Sequence, residues 1–157
     1  MGGMETALLL WEACCLPSLL HGAGTWTEMS RETERRLNSL QQWFLRLVLQ
    51  VGPGAPLPSL YWDFSCLEMG LRVDREKLML ALHCRRQGED SLAGKAYTEQ
   101  QQQGWPGLAQ EAREICEKLK IESCDVTTLG NGQYRKYVTQ ACRELKEERL
   151  ERNQWEN

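Results

Sequence analysis

The sequence lacks the cysteine spacing of a disulfide scaffold or of a zinc site. Seven cysteines occur among 157 residues, an odd number with irregular spacing and without a CxxC pair. Small secreted disulfide domains have an even number of cysteines, and a structural zinc site has two close pairs of ligands. The pattern therefore favours reduced thiols in a cytoplasmic or nuclear protein, and no metal is expected.

The sequence also has no excess of positive charge. No Lys or Arg precedes Arg31, so the cationic start of a signal peptide is missing. The whole chain has 19 basic and 22 acidic residues, a net charge of -3. Proteins that bind nucleic acid unaided carry a positive excess, because their cations displace counterions from the phosphates. We therefore expect no strong binding to nucleic acid by the chain alone, although local basic clusters could contribute within a larger complex.

A long uninterrupted hydrophobic run is absent as well. The apolar stretch Ala7–Leu20 contains Glu12 and Pro17 and is shorter than the ~20 apolar residues that a spanning helix needs. No membrane segment is predicted.

No catalytic motif is recognisable. Polymerase chemistry needs clustered carboxylates to hold two metal ions, and the sequence has no Tyr-x-Asp-Asp, Walker or zinc-protease motif. His83 and Cys84 are adjacent, so on a helix their side chains point about 100° apart, and His21 has no partner ligands that we can assemble. We predict no catalytic residue, no metal site and no cofactor, and hence no enzyme activity of the chain on its own.

What the sequence does contain is helical periodicity. An apolar helix is predicted over about 4–20, with a kink or a new turn at Pro17. Ser30 is expected to cap a second helix, and Trp43 is expected to pack helices together. The apolar residues of this second helix recur at steps of three and four along one face: Leu37, Leu40, Phe44, Leu47, Val48 and Val51.

Further helices follow at shorter intervals. We predict a short helix over 58–69, a separator at Gly70, and a helix capped by Asp74 that ends near Gln87. Ser91 is expected to cap a helix that extends to Gln103, and Trp105-Pro106-Gly107 should end it. A loop is predicted over 123–133, followed by a thinly apolar, exposed helix over 134–157. The fold class is therefore all-α, an irregular bundle of about five to seven helices without a β-sheet.

Three segments together resemble one protein family. LLLWEACCLPSLLHGAGTW resembles the stretch that follows the polymerase palm in non-LTR (LINE-type) retrotransposon reverse transcriptases. RRLNSLQQWFLRLVLQVGPGAPLPSLYWDFSCLEMGLRV resembles the long helix, Pro-containing turn and short helix that come next. KLMLALHCRRQGEDSLAGKAYTEQQQQGWPGLAQEAREICEKLKI resembles the subsequent helices. The likeness covers roughly residues 2–145 and rests on the order and spacing of the segments.

The resemblance implies a non-catalytic, thumb-like region that helps an RNA-directed DNA polymerase hold its template–primer duplex. It implies a thumb-like helical hairpin over 1–57, a helical region packed on it over 58–122, and a loop with an exposed C-terminal helix over 123–157. The partners would be the polymerase palm and an RNA/DNA duplex. Trp26 and Trp105 could stack on bases, and the residues that could contact phosphates are Arg36, Arg46, Arg72, Arg75, Lys77, Arg85 and Arg86.

A second interpretation is a helical module for protein–protein interaction without a nucleic-acid role. It is motivated by the acidic balance of the chain and by the apolar faces of the first two predicted helices. It predicts self-association or a protein partner through Leu8, Trp11, Leu40 and Phe44.

Overall fold

The structure, a computed structural model, describes residues 2–27, 29–56, 61, 66–122 and 128–155. Over these ranges it contains six helices and no β-strand, which confirms the predicted all-α bundle. Helix α1 consists of Gly2–Leu10, a π-helical turn at Trp11–Cys15 and a last turn at Leu16–Leu19. The other five are α2 (Arg31–Leu49), α3 (Met69–Gln87), α4 (Leu92–Gln103), α5 (Leu108–Lys118) and α6 (Asn131–Trp155).

The irregularity in α1 lies next to its proline. The π-helical turn ends at Cys15, and Pro17 follows within the first positions of the last turn. Proline has no N–H to donate to the carbonyl four residues earlier, and a π-turn is one way in which a helix adapts to such a break. The sequence predicted a kink or a new turn at this position, in agreement with the structure.

Helix α1 and the turn after it form a long apolar segment, with bounds close to the helix predicted over 4–20. Over Gly3–Thr25 the chain is long and apolar enough to cross a membrane, judged by length and composition alone. A core helix, which would be mostly buried, passes the same test, but only 22% of this apolar window is buried, including Trp11, Leu16 and Leu20. The absence of a membrane segment therefore stays a prediction.

Helices α2 and α4 begin where local capping residues predicted. The Ser30 hydroxyl accepts a hydrogen bond from the Thr33 N–H at 3.1 Å, and the Ser91 hydroxyl accepts one from the Gly94 N–H at 2.9 Å. Helix α2 ends at Leu49 and is followed by Gln50 in the left-handed conformation, so Val51 lies beyond the helix. The predicted break at Trp105–Gly107 also separates α4 from α5.

Helix α3 begins earlier than the sequence predicted. It starts at Met69 rather than after Asp74, and Gly70 lies inside its first turn rather than separating two helices. The reason is tertiary: Asn38 of α2 accepts the Met69 N–H at 2.9 Å and so caps α3 from another helix. Asp74 pairs with Lys118 of α5 instead of capping. Most of the short helix predicted over 58–69 lies outside the described residues, and Cys66–Glu68 are not helical.

Helix α3 is the centre of the bundle. Helices α2, α4, α5 and α6 all contact it, and Leu71, Leu78 and Leu82 are almost fully buried there. One apolar cluster joins α3 to α4, α5 and α6, and a second joins the start of α3 to α1 and α2. The fold therefore depends on one helix whose faces are nearly all covered.

The C-terminal helix corrects two predictions. It begins at Asn131, inside the loop predicted over 123–133, and it is not an exposed helix. Val138 and Cys142 are completely buried in the larger apolar cluster, and the Lys146 ammonium donates to the Tyr61 carbonyl at 2.7 Å. A stripe with one apolar residue per turn looks thin in sequence, but it is sufficient where the helix lies against α3.

Candidate interaction surfaces

Arg72, one of the predicted phosphate contacts, is an internal residue. Its guanidinium donates two hydrogen bonds to the Glu12 carboxylate, at 2.6 and 3.1 Å, and its Nε donates to the Leu67 carbonyl at 3.2 Å. The side chain is only 5% exposed. This bidentate pair links α1 to α3, so the structure gives Arg72 a structural position rather than one that faces a duplex.

Two more of the predicted basic residues are engaged within the chain. Lys77 is buried and pairs with Glu111 of α5. Arg75 pairs with its neighbour Glu76 at 3.1 Å, and Glu76 also receives Arg135 of α6 at 2.8 Å. These pairs hold α5 and α6 against α3, which leaves the cations partly or wholly neutralised.

Arg46 occupies an intermediate position. It is half-buried on α2, its Nε has no hydrogen-bond partner, and its Nη2 donates a long 3.5 Å bond to the Ala55 carbonyl. The guanidinium thus ties the end of α2 to the turn that follows.

The remaining three predicted cations, Arg36, Arg85 and Arg86, are exposed. Arg36 donates to Glu32 one turn earlier at 2.8 Å. Arg86 donates to the Leu129 carbonyl and to Asn131 at the start of α6. Within the described part of the chain, Arg85 has neither an ion pair nor a hydrogen bond. The seven candidates therefore do not form one basic surface.

The two predicted stacking tryptophans differ in their surroundings. Trp26 is half-buried and packs against the apolar cluster of α1, α2 and α3. Trp105 lies in the turn between α4 and α5 and is largely exposed. Only Trp105 presents most of its ring to solvent.

An apolar stripe runs along one side of α2 and continues to Val51, just beyond the end of the helix. We use this name for Leu40, Trp43, Leu47 and Val51, which follow one another at three- and four-residue steps. Trp43 and Leu47 are both 60% exposed, and Leu40 and Val51 are more than one-third exposed. Large exposed apolar patches are typical of interaction sites on folded proteins. The expectation that Trp43 packs between helices was wrong.

The residues predicted for self-association divide between interior and surface. Trp11 stacks on Phe44 with ring centroids 4.3 Å apart and an interplanar angle of 11°, which joins α1 to α2. Trp11 is buried, and Leu8 is partly buried near Leu45. Of the four predicted residues, Leu40 is the one that belongs to the apolar stripe. The sequence missed Trp43 and Leu47, although apolar residues on more than one side of α2 were a signal that this helix has two contacts.

The buried thiols are not activated as nucleophiles. Burial raises the pKa of the thiols of Cys66, Cys84 and Cys116, and it raises the pKa of Cys142 to about 11. Such thiols are protonated and poor nucleophiles at neutral pH. In the part of the chain that the structure describes, no three His, Cys, Asp or Glu side chains come together as metal ligands.

Comparison with known proteins identifies no relative: no family model, no curated protein and no solved structure matches the chain. The fold and the surfaces described above therefore have to support any functional conclusion.

Proposed function

We propose that this chain is a non-catalytic helical module that binds a protein partner through the apolar stripe of α2. The observation that supports the proposal is the 60% exposure of both Trp43 and Leu47 on a helix whose opposite side is already packed. Tryptophan is among the residues that contribute most to binding when an interface covers it. In keeping with the resemblance to LINE-type reverse transcriptases, the partner would be the polymerase palm.

The charges of the chain favour a protein partner over a nucleic acid. Arg72 and Lys77 are buried in ion pairs, and Arg75 is paired with Glu76. Phosphate contacts need cations that are free to displace counterions. Three of the seven candidate phosphate contacts are therefore already paired, and a net charge of -3 gives the chain no overall attraction for a polyanion. The free thiols Cys14 and Cys15 on the exposed side of α1 fit a cytoplasmic or nuclear setting.

The test is a binding measurement with the palm of a LINE-type reverse transcriptase as the titrant. Trp43→Ala should weaken binding at least tenfold, because it removes the largest side chain of the stripe. Leu92→Ala is the matched control, since Leu92 is 85% exposed but lies on α4. Light scattering on the same samples reports whether a second copy of the chain competes for the stripe.

The proposal fails if the Trp43→Ala and Leu92→Ala proteins bind alike. It also fails if the wild-type chain is monomeric and binds no palm. Both variants change exposed side chains, so loss of folding does not confuse the comparison.

A second candidate function is support of a template–primer duplex, as in the thumb-like region that the chain resembles. The exposure of Arg36, Arg85 and Arg86 favours it. It predicts weak binding to an RNA–DNA duplex that falls steeply between ~50 and ~200 mM salt. Replacing Arg85 and Arg86 by Ala should reduce the anisotropy change of a labelled duplex. Binding that is insensitive to salt, or no binding at low salt, contradicts it.

A further inference from the structure

A cavity of about 560 Å³ lies between helices α3, α4, α5 and α6 and shares no residue with the apolar stripe. Pockets for small organic ligands typically measure ~300–1,000 Å³. The interior of this cavity is mostly apolar and comes from buried side chains of all four helices and the segment after α5. They include Leu78, Leu82, Tyr97, Ala112, Ile121 and Tyr134.

The charged groups lie at the mouth of the cavity. Arg85 and Arg113 are exposed there together with Glu117 and Glu122, while Lys120 is paired with Glu148 at 2.9 Å. These charges do not act equally on the interior. Arg85 lies close enough to influence Tyr97, Cys116 and Tyr134 electrostatically, and Arg113 influences Tyr97.

The acidic groups reach less far. Glu117 influences its sequence neighbour Cys116, and Glu122 is exposed at the mouth. Arg85 is thus the charged side chain at the mouth that influences all three inner groups, and a cation in that position favours an anionic ligand. Arg85 also has no ion-pair partner among the residues described, so its guanidinium is available to a ligand.

The two tyrosines add hydrogen-bonding capacity to an otherwise apolar lining. Burial raises the pKa of Tyr134 to about 12 and also raises the pKa of Tyr97. Both phenols therefore stay protonated at neutral pH and can donate to an acceptor. Phenol donors and a guanidinium that line the same cavity suit a carboxylate, which accepts hydrogen bonds through both oxygens.

We infer that this cavity binds a small amphiphilic carboxylate, a medium-chain fatty acid, with the carboxylate at Arg85 and the chain among the buried side chains. The apolar lining otherwise contacts water, and covering it with a hydrocarbon chain is the driving force for entry. The positive charge of Arg85 favours the anionic ligand over a cationic ligand of the same chain length.

The inference is tested by calorimetric titration of the full chain with octanoate and, separately, with octyltrimethylammonium. Octanoate should bind at one site, and the cation should not bind. Arg85→Gln should weaken octanoate binding at least fivefold, whereas Arg31→Gln, which removes an exposed arginine at the start of α2, should leave it unchanged. Ala112→Leu extends a side chain into the cavity and should abolish binding.

The inference is overturned by no octanoate binding, by equal binding of the two ligands, or by equal affinities of the Arg85→Gln and Arg31→Gln proteins. Octanoate binding by a helical Ala112→Leu protein at wild-type affinity also overturns it. If Ala112→Leu does not fold, the comparison of the two exposed arginine variants decides.

Discussion

At the scale of single residues, Arg72 is the clearest case of a side chain whose role depends on a distant partner. Its guanidinium lies between α1 and α3, held by Glu12 and by the Leu67 carbonyl. In the sequence it is one arginine among several, and nothing near it indicates burial. Because Glu12 lies on another helix, periodicity and spacing could not assign Arg72 to the interior.

The first prediction concerns this pair. Glu12→Gln keeps the shape of the side chain but leaves a buried guanidinium without its counter-charge. Because Glu12 is itself partly exposed, we expect the free energy of unfolding to fall by about 2 kcal/mol, below the usual cost of breaking a fully buried pair. Urea denaturation measures it. Glu5→Gln, an exposed acid on the same helix, serves as the control, and equal stabilities of the two variants would contradict the prediction.

The second prediction concerns Gly94 in the first turn of α4. A Cβ atom at this position would overlap the backbone carbonyl of Gly88, which cannot move aside as a flexible side chain can. Gly94→Ala should therefore destabilise the chain by at least ~2 kcal/mol, although alanine normally favours a helix over glycine by ~1 kcal/mol. Thermal denaturation tests this expectation. Gly132→Ala in α6, where a Cβ meets nothing, should instead be neutral or slightly stabilising.

Among the helices, starts that depend on nearby residues were predicted correctly, whereas features that depend on contacts with another helix were not. Ser30 and Ser91 cap their own helices, and both starts were predicted because the donor and the acceptor lie three residues apart. The start of α3 was predicted too late, since its cap comes from Asn38 in α2. The burial of α6 was missed for the same reason: its environment is set by α3 and not by its own composition.

A comparison of two caps gives the third prediction. Asn38→Ala removes the acceptor for the Met69 N–H, and Ser91→Ala removes the acceptor for the Gly94 N–H. Each should cost ~1 kcal/mol in the free energy of unfolding, the usual effect of losing an N-cap. Ser39→Ala, next to Asn38 but exposed, is the control. If Asn38→Ala matched the control in urea denaturation, the cap from α2 would contribute nothing.

The candidate surfaces were predictable in part at this scale. Helical periodicity placed apolar residues along α2 but could not divide them between core and solvent. Phe44 faces α1 through its stack on Trp11, and Trp43, one residue away, is 60% exposed. The cavity was not predictable at all, because its lining comes from four helices whose packing no local pattern encodes.

For the molecule as a whole, the buried thiols and phenols should make the free energy of unfolding fall as the pH becomes alkaline. Burial raises the pKa of Cys142 from 9.0 to about 11 and the pKa of Tyr61 and Tyr134 from 10.0 to about 12. A group whose pKa is higher in the folded state ionises first in the unfolded state. Its stabilising contribution is therefore complete below the unfolded pKa and is lost as pH rises towards the folded value.

The fourth prediction is a loss of stability between pH 7.5 and pH 10. Cys142 alone should account for about 1 kcal/mol of that loss, since its thiol ionises in the unfolded chain but not in the folded one. Urea midpoints at the two pH values measure the difference. Cys142→Ala should lower the pH dependence, and Cys14→Ala, which changes an exposed cysteine, should not. If stability fell equally with pH in wild type and in Cys142→Ala, the Cys142 thiol would not be the source of the pH dependence.

The central position of α3 also has a consequence for biosynthesis. Because α3 spans Met69–Gln87, a ribosome releases α1 and α2 before the helix that covers them exists. The emerging chain can form the Trp11–Phe44 stack early, but its remaining apolar side chains stay open until the middle of the chain leaves the exit tunnel. Nascent chains stalled after α2 has left the exit tunnel but before α3 has left it should therefore recruit more chaperone than released chains that include α6.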